Sequence, residues 1–237
     1  MLSELKNFLD AVLKWCLGLV LLAGYFFFGG FATTFFAMMK QDLVPRDVSL
    51  MTTNPFDAFL VEIKVAFFLA LIFLLPVLLW GLLRYLSPAL GRHERRALYQ
   101  VVVPTTALFF VGGVFAYLLI IPATVSLLYS YVDQLGAIAF FAIADFVSLA
   151  LAFMLVTGLV FLLPVFMFLS GANGLVRPQF WQDHWRYAIL IFVIGAAVIT
   201  PDGTGVTMAL MLIPLCLLYL LGLLALWWYN RKRELTT

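Results

Sequence analysis

The sequence predicts an all-α integral membrane protein with six transmembrane helices. Three observations lead there. Apolar side chains make up 65% of the 237 residues and charged ones only 11%, against about 25% charge in a soluble domain. The apolar residues come in long blocks rather than at helix or strand spacing, as in a chain whose solvent is lipid. The charges collect between the blocks and divide the chain into six charge-poor intervals.

The first interval follows Glu4, Lys6, Asp10 and Lys14 and runs uncharged from Trp15 to Met39. It is longer than the ~7–15 apolar residues of a cleavable signal and lacks a small-residue cleavage pattern, so it is expected to be a retained span over 15–39. The second span is expected over 60–86. Its start is marked by "NPFDAF", where Asn54 suits a helix cap, Pro55 the first helical position and Asp57 the positive end of the amide dipole. The third is expected over 98–121, between Arg96 and Asp133, and the fourth over 146–169, between Asp145 and Arg177.

The fifth interval, 187–201, holds about 15 residues and reaches roughly 22 Å as a helix, where a bilayer core of ~30 Å asks for ~20 residues. It is kept as a short span, because removing it would put the ends of the sixth, 206–229, on the wrong sides. Pro76, Pro104, Pro164 and Pro214 fall in or near spans and predict bent helices. Gly112 with Gly113, and Gly195 with Ala196 and Ala197, permit close helix contacts.

Orientation follows from the basic residues. With six spans, eleven of the 14 lysines and arginines flank one side, leaving Lys40, Arg46 and Lys64 for the other. The positive-inside rule then places both termini in the cytoplasm.

Enzyme signatures are missing: there is no G-x-S-x-G, H-E-x-x-H or phosphate-binding loop. His93 and His184 sit in different connectors, and Cys16 and Cys216 each lie alone in apolar runs, so neither a metal site, a disulfide nor a cofactor is expected. A coupled-ion transporter would place ionisable groups inside its spans. Only Glu62 and Lys64 come near, in the first turns of span two and pointing in different directions. A small-solute transporter is therefore the weakest of three readings.

The polar residues lie instead in the connectors. The outer one, 40–58, is long. The inner one reads "SPALGRHERRAL" and gathers Arg92, His93, Arg95 and Arg96 around Glu94, the sole acid between Arg84 and Arg96. The four basic residues are expected to fix the connector at lipid phosphates. Glu94 then either offsets them or serves as a docking carboxylate for an incoming guanidinium, whose planar two-bond pairing an ammonium cannot copy. Glu4, in "MLSELKNFL", is a second carboxylate on the same face.

That connector resembles the one between the second and third spans of the TatC family, the multi-span subunit of the twin-arginine protein translocase. "NPFDAFLVEIKVAFFLALIFLLPVLLW" resembles the family's second span, "GGVFAYLLIIP" the third, and "VIGAAVITPDGTGVTMALMLIPLCLLY" the short fifth and the sixth with their tight outer turn. The resemblance covers nearly the whole chain in order and treats 1–237 as a single membrane domain.

It implies six helices in a curved, concave bundle in the prokaryotic cytoplasmic membrane, binding twin-arginine signal peptides of folded cargo. It also implies assembly with single-span TatA- and TatB-type partners, a homo-oligomeric receptor complex, transport driven by the proton-motive force, and no dealings with nucleic acid. The family's H-E-[RK]-R glutamate falls on Glu94, and its E-L-R motif on Glu4, Leu5 and Lys6. Tyr85, Pro88 and Leu90 would form the floor of the signal site. Because exposed ion pairs contribute about 0–1 kcal/mol and micromolar affinity needs about 8 kcal/mol, the carboxylates would select arginine while the signal's apolar stretch adds binding energy.

The chain departs from the family in four places. Met1 stands where a histidine is frequent, Lys6 where arginine is usual, Leu162 where many members carry glutamate, and Leu220 where a polar residue is common. The last two make the concave intramembrane face more apolar. The rival within the same fold is a diverged scaffold that no longer binds signals.

Overall fold

The computed structural model describes residues 2–44, 49–52, 54–86, 92–134, 140–172, 176, 178–199 and 205–234. The chain is almost entirely helical. Its elements are α1 (Leu2–Phe28), α2 (Phe31–Leu43), β1 (Ser49–Met51), α3 (Asp57–Leu86), α4 (Arg92–Phe115), a π turn (Ala116–Ile120), α5 (Ile121–Gln134), β2 (Phe140–Ala142), α6 (Ile143–Val160), α7 (Leu163–Ala172), α8 (Pro178–Asp183), α9 (Trp185–Ile199) and α10 (Val206–Glu234).

Among the described residues, four helical stretches are long and apolar enough to cross a bilayer: Asp57–Trp80, Val102–Gln134, Ile143–Gly171 and Met211–Trp228. Leu13–Phe28 and Phe31–Leu43 are long and apolar enough only as a pair bent by 69°, the form of a broken span or a re-entrant loop, and Trp185–Ala197 is a shorter apolar helix. The chain is a multi-pass membrane protein.

The first span, expected over 15–39 as one run, is broken at Gly29–Gly30. Gly30 adopts φ +72°, a left-handed conformation open chiefly to glycine. A β-carbon on Gly29 would stand 2.8 Å from the Tyr25 carbonyl oxygen and 2.9 Å from the Phe31 ring. The charge-free run hid this corner because charge says nothing about backbone φ. Tyr25, Phe26 and Phe31 close it by mutual ring contacts, 5.7–5.8 Å between centroids.

The helix of the second expected span, α3, begins two residues later than the Pro55 start expected. Pro55 and Phe56 form a turn, and Asp57 opens the helix. The Asp57 carboxylate accepts the Asn54 backbone N–H at 2.8 Å, and the Asp57 N–H donates to the Asn54 carbonyl at 3.0 Å. The acid reaches back to satisfy an otherwise orphaned donor, as the acidic member of a capping box does.

The third span is longer than the 98–121 expected. Pro122 cannot donate to the carbonyl of Leu118, and its ring would collide there. The π turn immediately before it widens the coil, so the helix passes the proline and runs on to Gln134. Pro164 acts differently: α6 stops at Val160, Phe161 and Leu162 form a turn, and α7 resumes at Leu163. Backbone bonds from Phe161 to Thr157 and from Phe166 to Leu162, both 3.0 Å, carry the path across the break.

The chain divides into two compact units, Met1–Tyr85 with Ala137–Leu151, and Leu86–Gly136 with Ala152–Thr237. In the first, Phe26 packs on Phe73 at 5.2 Å and Phe27 on Phe59 at 5.8 Å. Val65, Ala70 and Val147 are fully buried there. A two-stranded parallel sheet in this unit, pairing Ser49 with Phe140 through Met51 with Ala142, is the one departure from an all-α fold among the described residues. Three residues are too few for a period-2 pattern to reveal in sequence.

In the second unit α10 packs chiefly along α7 and then α9. The contacts are made close by glycine: a β-carbon on Gly222 would meet Met167 Sδ at 2.7 Å and Pro164 Cα at 3.2 Å. Around them Phe109, Phe153, Met167, Met211 and Leu226 are buried.

Candidate functional site

The "RHERR" segment expected as a connector is helical: Arg92 to Arg96 form the first turns of α4. Arginine, glutamate, alanine and leucine are good helix formers, and Glu94 in the first turn suits the positive end of the amide dipole. Tyr85 ends α3, and Glu4, Leu5 and Lys6 lie in the opening turns of α1. Pro88 and Leu90 lie outside the described residues, as do the side chains of Glu4, Lys6, Tyr85, Arg92, His93, Glu94, Arg95 and Arg96.

In the first unit the Lys64 ammonium donates to Ser148 Oγ at 2.8 Å, and Ser148 Oγ donates to the Ala144 carbonyl at 2.5 Å. Lys64 is exposed, half-buried Glu62 lies two positions before it, and exposed Asp145 opens α6. The lysine thus ties α3 to α6 through a hydroxyl.

The second unit contains a groove of about 470 Å³ between the α6–α7 break, α9 and α10. Leu159, Leu162, Phe166, Ile191, Gly195 and Met211 are among its walls, and every lining residue is apolar. Leu162, singled out in the sequence, is therefore a wall of this groove. Leu220 is 53% exposed on α10. Gly195, expected to permit a close helix contact, instead has no atom within 4 Å of where its β-carbon would stand. The missing side chain hollows the groove rather than admitting a neighbouring helix, while Ala196 beside it is buried.

Gly112 does meet the expectation of a close contact. Its β-carbon would stand 2.9 Å from Gly158 Cα and 2.8 Å from Phe161 Cγ.

One end of the groove continues into an aromatic cluster. Phe166 meets Trp181 edge to face at 6.2 Å and 88°, a geometry in which an indole N–H can rest on a ring face. The Trp181 Nε1 is buried without a hydrogen-bond acceptor. Its backbone carbonyl accepts the Tyr219 hydroxyl, which ties α8 to α10. Phe180 stacks on His184 at 4.3 Å, His184 Nδ1 lies 2.9 Å from the Phe180 carbonyl, and the Arg186 guanidinium lies over Trp185 at 5.5 Å.

Sequence reading found Leu162 and Gly195 but not the groove they share. The positions 191, 192, 195 and 196 form one helical stripe, which uniform hydrophobicity masks. Among the described residues no cluster of three or more His, Cys, Asp or Glu side chains is placed to hold a metal ion. Cys16 and Cys216 are free thiols.

Comparison with known proteins places this architecture. Residues 2–214 match the family described as Sec-independent protein translocase protein (TatC). A TatC protein of the archaeon Cenarchaeum symbiosum is 37% identical over 196 residues, covering 83% of this chain and 73% of that one. A TatC protein of Akkermansia muciniphila is 32% identical over 184 residues, and there the match spans 78% of this chain but only about half, 53%, of the relative. A crystal structure of a twin-arginine translocase receptor, TatC, in the detergent DDM superposes with a TM-score of 0.80 at 26% identity, covering 93% of this chain and 98% of that one. The chain belongs to the TatC family of Sec-independent protein translocase proteins.

Proposed function

We propose that this TatC-family chain is the twin-arginine signal receptor and core subunit of a translocase that exports folded proteins. The reading rests on one observation: a matched TatC sequence that retains His93-Glu94-Arg95-Arg96 at the start of α4. Glu94 offers the docking carboxylate, and Glu4 a second. Arg92, His93, Arg95 and Arg96 hold the α4 entrance at the headgroups, with Lys6, Tyr85, Pro88 and Leu90 completing the signal site. Guanidinium is selected over ammonium by two-bond pairing.

In this reading the bent α1–α2 pair is the first of six spans and α9 the short fifth, with both termini on the basic, cytoplasmic side of a prokaryotic inner membrane. The single domain does no covalent chemistry and needs no cofactor. The proton-motive force drives transport, and TatA- or TatB-type single-span subunits and further copies of the chain complete the machine. The superposed crystal structure is that of a protein described as a twin-arginine translocase receptor, and this likeness supports the reading.

The test is site-specific photo-crosslinking from residues 90–96 to a twin-arginine signal peptide in membranes. A crosslink that disappears when the peptide's arginine pair becomes a lysine pair is expected. Equal crosslinking of the lysine peptide, or none of either, overturns the receptor reading in favour of a scaffold.

A further inference from the structure

We propose that the groove of the second unit is a phospholipid site, holding one acyl chain along α9 with an anionic headgroup at the Trp185–Arg186 end. The inference does not depend on signal binding.

The walls set the chemistry of the tail. Every lining residue is apolar, so a polar ligand would lose its hydrogen bonds to water without replacement. The hollow is enlarged on the α9 side at Gly195, where no atom approaches within 4 Å of a β-carbon position. Its volume then selects among apolar occupants. A groove of about 470 Å³ is small beside a membrane-spanning helix about 10 Å across and ~30 Å long. A helix would therefore lie along its rim, with only side chains entering. A single alkyl chain is slender enough to run its length.

The headgroup end is marked independently. The groove residues Ile191 to Ala196 lie about 8–15 Å along the helix axis from Arg186, within reach of a fatty acyl chain. Phe166, 64% exposed, lines the groove and carries the apolar surface on to Trp181 and from there to Phe180 and His184. At that end Trp185 and Tyr187 are exposed, and the Arg186 guanidinium is drawn over the Trp185 ring. Aromatic rings beside an arginine form the amphipathic rim found at headgroup level. The guanidinium pairs with a phosphate through two hydrogen bonds; exposed Asp183 stands at the same end, so the preference for an anionic lipid rests on that two-bond pairing by Arg186 and not on net charge.

Native mass spectrometry of the full chain tests the site, with phosphatidylglycerol or phosphatidylcholine added to the delipidated protein in detergent. Retained lipid adducts with a preference for phosphatidylglycerol are expected. Gly195→Leu, which fills open space, should abolish retention of both lipids. Arg186→Gln should keep adducts but lose the preference. A lipid with a photoactivatable acyl chain should crosslink to 159–166 and 191–196 in the unaltered protein. Adducts indifferent to both substitutions, or crosslinks confined to other segments, overturn the proposal. So does a groove that excludes lipid and crosslinks only to a partner helix.

Discussion

Phe109 of α4 lies across Gly158 of α6 so closely that a β-carbon on Gly158 would stand 2.8 Å from the phenyl Cε2. Phe109 is itself 2% exposed, so the ring has nowhere to go. Gly158→Ala is therefore expected to destabilise the protein by about 1–3 kcal/mol, the usual cost of overpacking, despite the ~0.5–1 kcal/mol an alanine ordinarily gains over glycine in a helix. Gly195→Ala, with no atom within 4 Å, should leave the melting temperature unchanged or raised. Thermal unfolding in detergent, followed by tryptophan fluorescence, decides. A Gly158→Ala protein as stable as the parent would mean that α4 and α6 do not cross at these residues.

The residue before that glycine carries the opposite lesson. Thr157 is 3% exposed, and its hydroxyl is buried without a hydrogen-bond partner. A buried unpaired polar group costs about 1–3 kcal/mol, so Thr157→Val, which keeps the branched shape, is expected to raise the melting temperature. Thr157→Ser, which keeps the hydroxyl but opens a methyl-sized void, should lower it. A loss of stability in Thr157→Val would show that the hydroxyl is paired.

The corner between α1 and α2 rests on two glycines with different duties. Gly30 holds a left-handed φ, which costs another residue about 1–2 kcal/mol, and Gly29 has no room for a β-carbon beside the Tyr25 carbonyl. In Gly29→Ala/Gly30→Ala both residues gain by turning right-handed and joining α1 to α2. With Cys216→Ser, spin labels on exposed Cys16 and on Met38→Cys should therefore move apart as the 69° bend opens. An unchanged distance distribution would place the bend's cause in the Phe26, Phe31 and Phe73 packing instead.

These three cases show what was legible in the sequence. Charge-poor blocks located most of the apolar helices, and "NPFDAF" marked the start of α3, because charges leave the bilayer and caps obey local chemistry. The bend at Gly29–Gly30 and the continuation of the third span past Pro122 into α5 were not legible from charge, since both are decided by backbone geometry within uncharged sequence. Gly195 shows the same limit. A glycine beside two alanines reads as a packing residue, and only its neighbours in space reveal a hollow. The connector glutamate was legible as a chemical type, a lone acid among arginines, but its place in a helix required the helix-forming neighbours Ala97 and Leu98 to be weighed above the preceding Pro88 and Gly91.

That helical placement sharpens what substitution of Glu94 should do under the receptor reading. A carboxylate in the first turn of α4 is favoured by the helix dipole as well as by an incoming guanidinium. Glu94→Gln removes both interactions, and the dipole contribution is worth only about 0.3–1 kcal/mol, so the protein should still insert and fold. Glu94→Lys adds repulsion toward the signal's arginines and should abolish both the signal-peptide crosslink and export of folded cargo. Glu94→Asp keeps the charge on a shorter arm and should bind with reduced yield. Arg96→Gln, which removes one of the four basic residues at the α4 entrance and keeps Glu94, should lower the crosslink less than Glu94→Lys does. The measurements are crosslink yield and export of a folded reporter, made on membranes holding equal amounts of each variant. Export by Glu94→Lys at the parent's rate would remove Glu94 from signal recognition.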